Sequence, residues 1–206
     1  MNNFPSIISN TCWGGMITHY FGSEYSSPFT GSFIIGKDYI RLIRNIDNID
    51  LFNISSITNL ESSYHELPIE NQDAIYPVII LKDLNLEVHF PHYDIGYDIK
   101  STWSRRMERF DWSNYIIKFS KSRLATENQL KEFAKMELPC RKVLITDNVM
   151  MYTKYETSNF KVIQSCISSP CGYVDDEPIE SLHNIGWNLF GYKFDREKIL
   201  SQLGWI

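Results

Sequence analysis

Between residues 115 and 145 the chain reads strand, helix, strand, and this order constrains the fold more than any other stretch. Tyr115 to Phe119 reads as a strand. Thr126-x-x-Gln129 is a capping box for a helix of about 127 to 137, with Leu130, Phe133 and Ala134 facing inward. Leu138-Pro139 ends that helix, and Val143-Leu144-Ile145 resumes as a strand. Two strands joined through a helix form a βαβ crossover and run parallel. Parallel pairs need helices over their faces, so the expected class is α/β.

The N-terminal stretch supports that class. Ser6-Ile7-Ile8-Ser9 reads as a buried strand, and Asn10 and Thr11 offer N-cap side chains. Gly14-Gly15 then opens a helix toward Gly22. Phe33-Ile34-Ile35 suggests a second strand, and Asp38 is placed to cap a helix whose Tyr39, Leu42, Ile43 and Ile46 share one face. Residues 48–75 are polar and mixed. Tyr76 to Leu81 and Leu86 to Phe90 flank Asp83-Leu84-Asn85 as a hairpin, which brings antiparallel pairing. Phe160 to Ile167 reads as a late strand and Arg196 to Leu203 as a weak helix. The expectation is a three-layer α/β fold, a mostly parallel mixed sheet with helices on both faces. With 43% apolar residues and no repeat or linker, residues 1–206 read as a single domain with one core.

A net charge of −5 argues against a general nucleic-acid binder. The charge is uneven. Lys100 to Arg123 holds seven basic residues against two acids, a local +5, which leaves −10 for the rest. A basic island in an acidic chain suits a small anion better than a polymer, unless it is only a solvated helix face. No apolar run reaches the ~18–20 residues of a membrane span, and Met-Asn-Asn-Phe-Pro does not begin a signal peptide. The expected location is therefore cytoplasmic, with Cys12, Cys140, Cys166 and Cys171 as free thiols. The turn at Asn10 to Gly15 is neither a Walker loop nor a dinucleotide fingerprint, and both the cofactor and the oligomeric state are unknown from the sequence.

Three clusters could carry chemistry. The turn Asn10 to Gly15, between a strand end and a helix start, can offer backbone N–H groups to an anion, with Trp13 as a stacking face. Alternatively, Gly14 and Gly15 only permit tight helix–sheet packing and Trp13 is core. Cys12 is a candidate nucleophile at a helix N-terminus, but His19 lies about 10 Å along the helix, too far to serve it. A buried, inert thiol is the alternative.

The second cluster is Glu87-Val88-His89-Phe90-Pro91-His92-Tyr93-Asp94. Glu87 and His89 share one strand face, and Pro91 pushes His92 and Asp94 onto a loop. A carboxylate beside an imidazole suits a general base. His89, His92 and Asp94 could instead hold a metal, or the histidines could simply bond loop backbone. The third cluster is the helix Ile99 to Phe110. Ile99, Trp103, Met107 and Phe110 form its apolar stripe, and Arg106 falls on the stripe's edge. A buried arginine needs a partner, either an internal carboxylate or a ligand phosphate or carboxylate. Lys118, at the end of the next strand, sits where open-sheet ligands bind.

In order, the motifs are Ile8-Ser9-Asn10-x-Cys12-Trp13-Gly14-Gly15, Ser27-Pro28-Phe29, Asp38-Tyr39-Ile40, His89-Phe90-x-His92-Tyr93, Trp103-x-Arg105-Arg106-x-x-Arg109 and Lys118-Phe119-Ser120. Over about residues 6 to 145 the chain resembles a bacterial family of unknown function whose members are commonly labelled exopolysaccharide-biosynthesis proteins. The resemblance implies a cytoplasmic role in making or decorating a surface glycan and carries over no catalytic residue.

The combined expectation is a transferase taking a sugar or acyl group from an anionic donor, a nucleotide sugar or acyl-coenzyme A, to a glycan acceptor hydroxyl. Asn10, Trp13, Gly14, Gly15, Trp103, Arg106 and Lys118 would bind ligand, and His89, His92, Glu87 and Cys12 would be catalytic. The rivals are a non-catalytic scaffold of a glycan-assembly complex and a metal-dependent hydrolase. All three clusters are expected to line one hollow.

Overall fold

The computed structural model describes residues 4–164 apart from 21, 68–73 and 123. Its first unit is as expected: β1 (Ser6–Ser9), wholly buried, turns into α1 (Trp13–Tyr20). There follow α2 (Gly36–Arg44), the strands β2 (Ile54–Thr58), β3 (Pro77–Leu81) and β4 (Leu86–His89), and α3 (Ile99–Met107). The crossover unit is β5 (Tyr115–Ser120), α4 (Glu127–Lys135) and β6 (Arg141–Thr146). After it come the short α5 (Val149–Tyr152) and β7 (Phe160–Gln164).

The capping box forms at α4: Thr126 Oγ1 accepts from Gln129 N–H and the Gln129 side chain accepts from Thr126 N–H at 2.8 Å. β5 and β6 then pair in parallel, with Lys118 opposite Val143. β1 joins the other side of β5 and β7 joins β6, both parallel, giving the order β1-β5-β6-β7. All six β5 residues are buried, as a strand covered on both faces must be.

The hairpin also forms, with Asn85 at φ 45° in the left-handed region that asparagine tolerates. It pairs with β2 in a separate antiparallel sheet, β2-β3-β4, rather than extending the parallel one. The fold is α/β, and one hydrophobic cluster joins the sheets: Ile8, Ile117 and Leu144 from the first, Ile79, Leu86 and Val88 from the second, Tyr39 and Trp103 from the helices.

Local expectations fail where a backbone group found a more distant partner. Phe33 makes a single antiparallel bridge to His89, and Ile34 donates to the Asn10 carbonyl at 2.9 Å, so residues 33–35 tie the sheets together without forming a strand. α2 starts at Gly36 behind Ile35, ahead of Asp38. Asp38 instead pairs with Arg41 at 3.1 Å and accepts from the Tyr64 hydroxyl at 2.8 Å. The late strand is described to Gln164; its expected end at Ile167, the 196–203 helix, Cys166 and Cys171 lie outside the described residues. Cys12 and Cys140 are free thiols. Among the described residues no helix is long and apolar enough to cross a membrane.

Candidate functional site

At the carboxyl end of β1 the turn is used internally. The Cys12 carbonyl takes the first helical bonds, from Gly15 N–H at 3.0 Å and Met16 N–H at 3.2 Å. The Asn10 side chain does not cap α1: its Nδ2 donates to the Ser120 carbonyl at 3.1 Å and its Oδ1 accepts from Ser120 N–H at 2.9 Å, locking β1 to the end of β5. A Cβ at Gly14 would meet Ile7 Cγ2 at 2.9 Å, and one at Gly15 would meet Thr30 Cγ2 at 2.8 Å. Both glycines serve close packing. Cys12 is half-buried with its Sγ 3.6 Å from Met16 Sδ, while His19 is exposed.

The aromatic candidates are core residues. Trp13 is 2% exposed, with its Nε1 unpartnered among the described residues and Lys118 Nζ 5.5 Å from its ring centroid. Trp103 is 1% exposed, donates from Nε1 to the Leu51 carbonyl at 2.7 Å, and packs edge-on against Phe29. Lys118 is wholly buried and donates to Thr11 Oγ1 at 2.7 Å.

Arg106 is buried at 5% exposure, as its wheel position required. Its partners are neutral. Nη1 donates to the Thr30 carbonyl at 3.1 Å, Nη2 donates to the Tyr93 hydroxyl at 3.0 Å, and the guanidinium carbon lies 5.3 Å from the Tyr25 ring and 6.0 Å from that of Tyr93. Among the described residues no carboxylate lies within ion-pair distance of it.

The second cluster divides. Glu87 and His89 share a face of β4, with His89 Nε2 3.3 Å from Glu87 Oε2 but out of line for a hydrogen bond. Among the described residues neither His89 nitrogen has a hydrogen-bond partner, although the residue is fully buried. Glu87 accepts from the Ser62 and Ser63 hydroxyls and from Ser63 N–H at 2.9 Å. Burial pushes its carboxyl up, but the imidazole and the serine donors outweigh that and hold it down at about 2.

His89 lines a cavity of about 230 Å³ together with Asn59, Tyr64, His65, Leu67 and Tyr76. The Tyr64 and Tyr76 rings each stand 6.1 Å from the imidazole. Burial first, then negative charge nearby, raises both phenols, that of Tyr76 to about 12, so both keep their protons at neutral pH. His92 and Asp94 are exposed on the following loop. Among the described residues no three His, Cys, Asp or Glu side chains gather in a group that could hold a metal. The set His89, His92 and Asp94 is therefore not assembled.

The clusters meet along one segment instead of around one hollow. Residues 30–34 touch Gly15 and Arg106 through Thr30, Tyr93 through Gly31, His89 through Phe33 and Asn10 through Ile34. Sequence reasoning found Glu87 and His89 by their period-two spacing. It missed Ser62, Ser63 and Tyr64, from a stretch whose polar pattern marks no element, Tyr76, read only as the start of a strand, and Tyr25 and Thr30 around Arg106.

The chain is thus an α/β protein with a buried carboxylate–imidazole pair beside a small cavity and a separate buried arginine with neutral partners. It belongs to the DUF1919 family, described as a domain of unknown function, whose sequence profile matches residues 1–189. It is also 26% identical over 145 residues to an uncharacterized protein of Haemophilus influenzae (strain ATCC 51907 / DSM 11121 / KW20 / Rd). That match spans 70% of this chain and 63% of the relative's length.

Proposed function

We propose that this chain is a transferase of surface-glycan biosynthesis, acting in the cytoplasm. It moves a sugar or acyl group from an anionic activated donor, a nucleotide sugar or acyl-coenzyme A, to a sugar hydroxyl. The observation that carries this reading is Arg106, a buried guanidinium bonded, among the described residues, only to a carbonyl and a phenol. A buried charge without a counter-charge costs several kcal/mol, and a phosphate supplies the missing charge with the two-pronged geometry guanidinium favours. Tyr25 and Tyr93, both half-buried, form the rim where such a group would enter. The resemblance to exopolysaccharide-biosynthesis proteins supplies the glycan context.

His89, steadied by Glu87, serves as the base. The acceptor hydroxyl proton passes to the imidazole, the oxygen bonds the sugar or acyl carbon of the donor, and that carbon's bond to the phosphate or thiolate leaving group breaks. Arg106 bonds the Thr30 carbonyl and the backbone of His89 bridges Phe33, so both residues adjoin one short segment.

Calorimetric titration of the full chain with nucleotide sugars and with acyl-coenzyme A tests this. One class is expected to bind, and Arg106→Gln to weaken it by about tenfold or more with an unchanged circular dichroism spectrum. If that variant does not fold, Tyr25→Ala, which removes a ring and no hydrogen bond to Arg106, should weaken binding in the same direction. Binding by neither class would overturn the reading in favour of the scaffold, for which alanine at His89, His92 and Arg106 leaves glycan output unchanged.

A further inference from the structure

The cavity beside His89 has a chemistry of its own, opposite in sign to that at Arg106. Its walls are two tyrosine rings, an amide, Leu67, the exposed His65 and Glu66, and the buried imidazole. Behind them stand carboxylates: Glu87 at 3.3 Å from Nε2, and Asp38, which accepts from the Tyr64 hydroxyl. An anion entering here would meet like charge, so the donor's phosphate stays with Arg106 and only its transferred group approaches this cavity. The nearest cations are already engaged: Arg41 pairs with Asp38, and Lys37 lies 4.9 Å from the Tyr64 ring. Asn59 is also committed, donating to the Ala74 carbonyl and accepting from Tyr76 N–H, so it shapes the wall without reading a ligand.

His65 and Glu66 face each other at 3.8 Å on the solvent side, which leaves His89 and the aromatic surface for a ligand deeper in. A buried imidazole with neither nitrogen satisfied among the described residues is unusual, because burying a polar atom without a partner is costly. The volume, about 230 Å³, is below the roughly 300–1,000 Å³ of pockets that take drug-sized molecules and suits a single ring. A ring with C–H faces for the tyrosines and a hydroxyl for the imidazole meets both demands. Resting on the hydroxyl-transfer reading above, we infer that this cavity is the acceptor subsite and takes an uncharged monosaccharide unit, one of whose hydroxyls hydrogen-bonds His89. Donor phosphate and acceptor sugar are then held by different groups, Arg106 beside Thr30 and His89 beside Phe33, one cationic and one backed by carboxylates.

The test uses the full chain with imidazole nitrogens labelled with ¹⁵N. It is titrated in turn with methyl glucoside and N-acetylglucosamine (neutral), glucuronic acid (anionic) and glucosamine (cationic). The expected result is saturable binding of at least one neutral sugar, a shift of the His89 ring nitrogen signals, and about tenfold weaker binding of glucuronic acid. Tyr76→Ala and His89→Gln should each abolish the response, and the wild-type nitrogen shifts suffice if either fails to fold. Equal or tighter binding of glucuronic acid or glucosamine would overturn the inference, as would no neutral sugar binding or binding that leaves the His89 signals unmoved. Donor titration reads Arg106 separately: donor binding without sugar binding sinks this inference alone, and sugar binding without donor binding sinks the transferase reading alone.

Discussion

Glu87 shows how a buried side chain can stabilise the fold through its charge. Its carboxyl titrates near 2 when folded against 4.5 for an unperturbed glutamate. The folded state therefore favours the ionised form, and the stabilisation is present above about pH 4.5 and disappears as pH falls toward 2. A shift of that size corresponds to roughly 3 kcal/mol. Urea denaturation of wild type and Glu87→Gln across this range should show a gap on that order at pH 6 that closes as pH approaches 2. A gap independent of pH would mean that the serine bonds to Glu87 do not depend on its charge.

Elements are joined here by side chains that neighbouring elements supply. Lys142 on β6 is the clearest case: its ammonium donates to the carbonyls of Phe133 and Ala134 at 2.9 Å and of Met136 at 2.5 Å, closing the C-terminal end of α4. Burial pushes its pKa down to about 8, which leaves it charged at neutral pH and able to donate all three bonds. Lys142→Met keeps the packing against Phe160 but strands those carbonyls. It should cost about 1–3 kcal/mol by chemical denaturation, with amide exchange quickening in α4 first. Unchanged exchange there would show that solvent satisfies the carbonyls equally well. Tyr39 plays a similar part from α2, its hydroxyl 2.9 Å from the Ile8 carbonyl and 2.7 Å from that of Lys118, joining β1 to β5.

At the scale of the molecule, the shared core cluster predicts joint unfolding of the two sheets. Ile79→Val in β3 and Ile117→Val in β5, both wholly buried, should each cost about 1 kcal/mol. Each should move one denaturation midpoint that is the same by tryptophan fluorescence and by circular dichroism. Midpoints that separate by probe would mean that the antiparallel sheet melts independently.

Much of this was legible without coordinates. The β5-α4-β6 crossover, the hairpin, the apolar faces of α2 and α3 and the burial of Arg106 follow from periods of 2.0 and 3.6, capping chemistry and proline placement, all governed by residues within a turn or two of each other. Glu87 and His89 were readable as a pair for the same reason. Illegible were the second sheet, the use of Asn10 to fasten Ser120 110 residues away, the sealing of Gly15 against Thr30, and the serines and tyrosines around His89. Local sequence determines which face of an element is apolar, because that depends on spacing along one chain segment. Only the tertiary structure decides which polar group finds which distant partner, because several carbonyls, hydroxyls and carboxylates compete for each donor and the packed core settles which come within 3 Å.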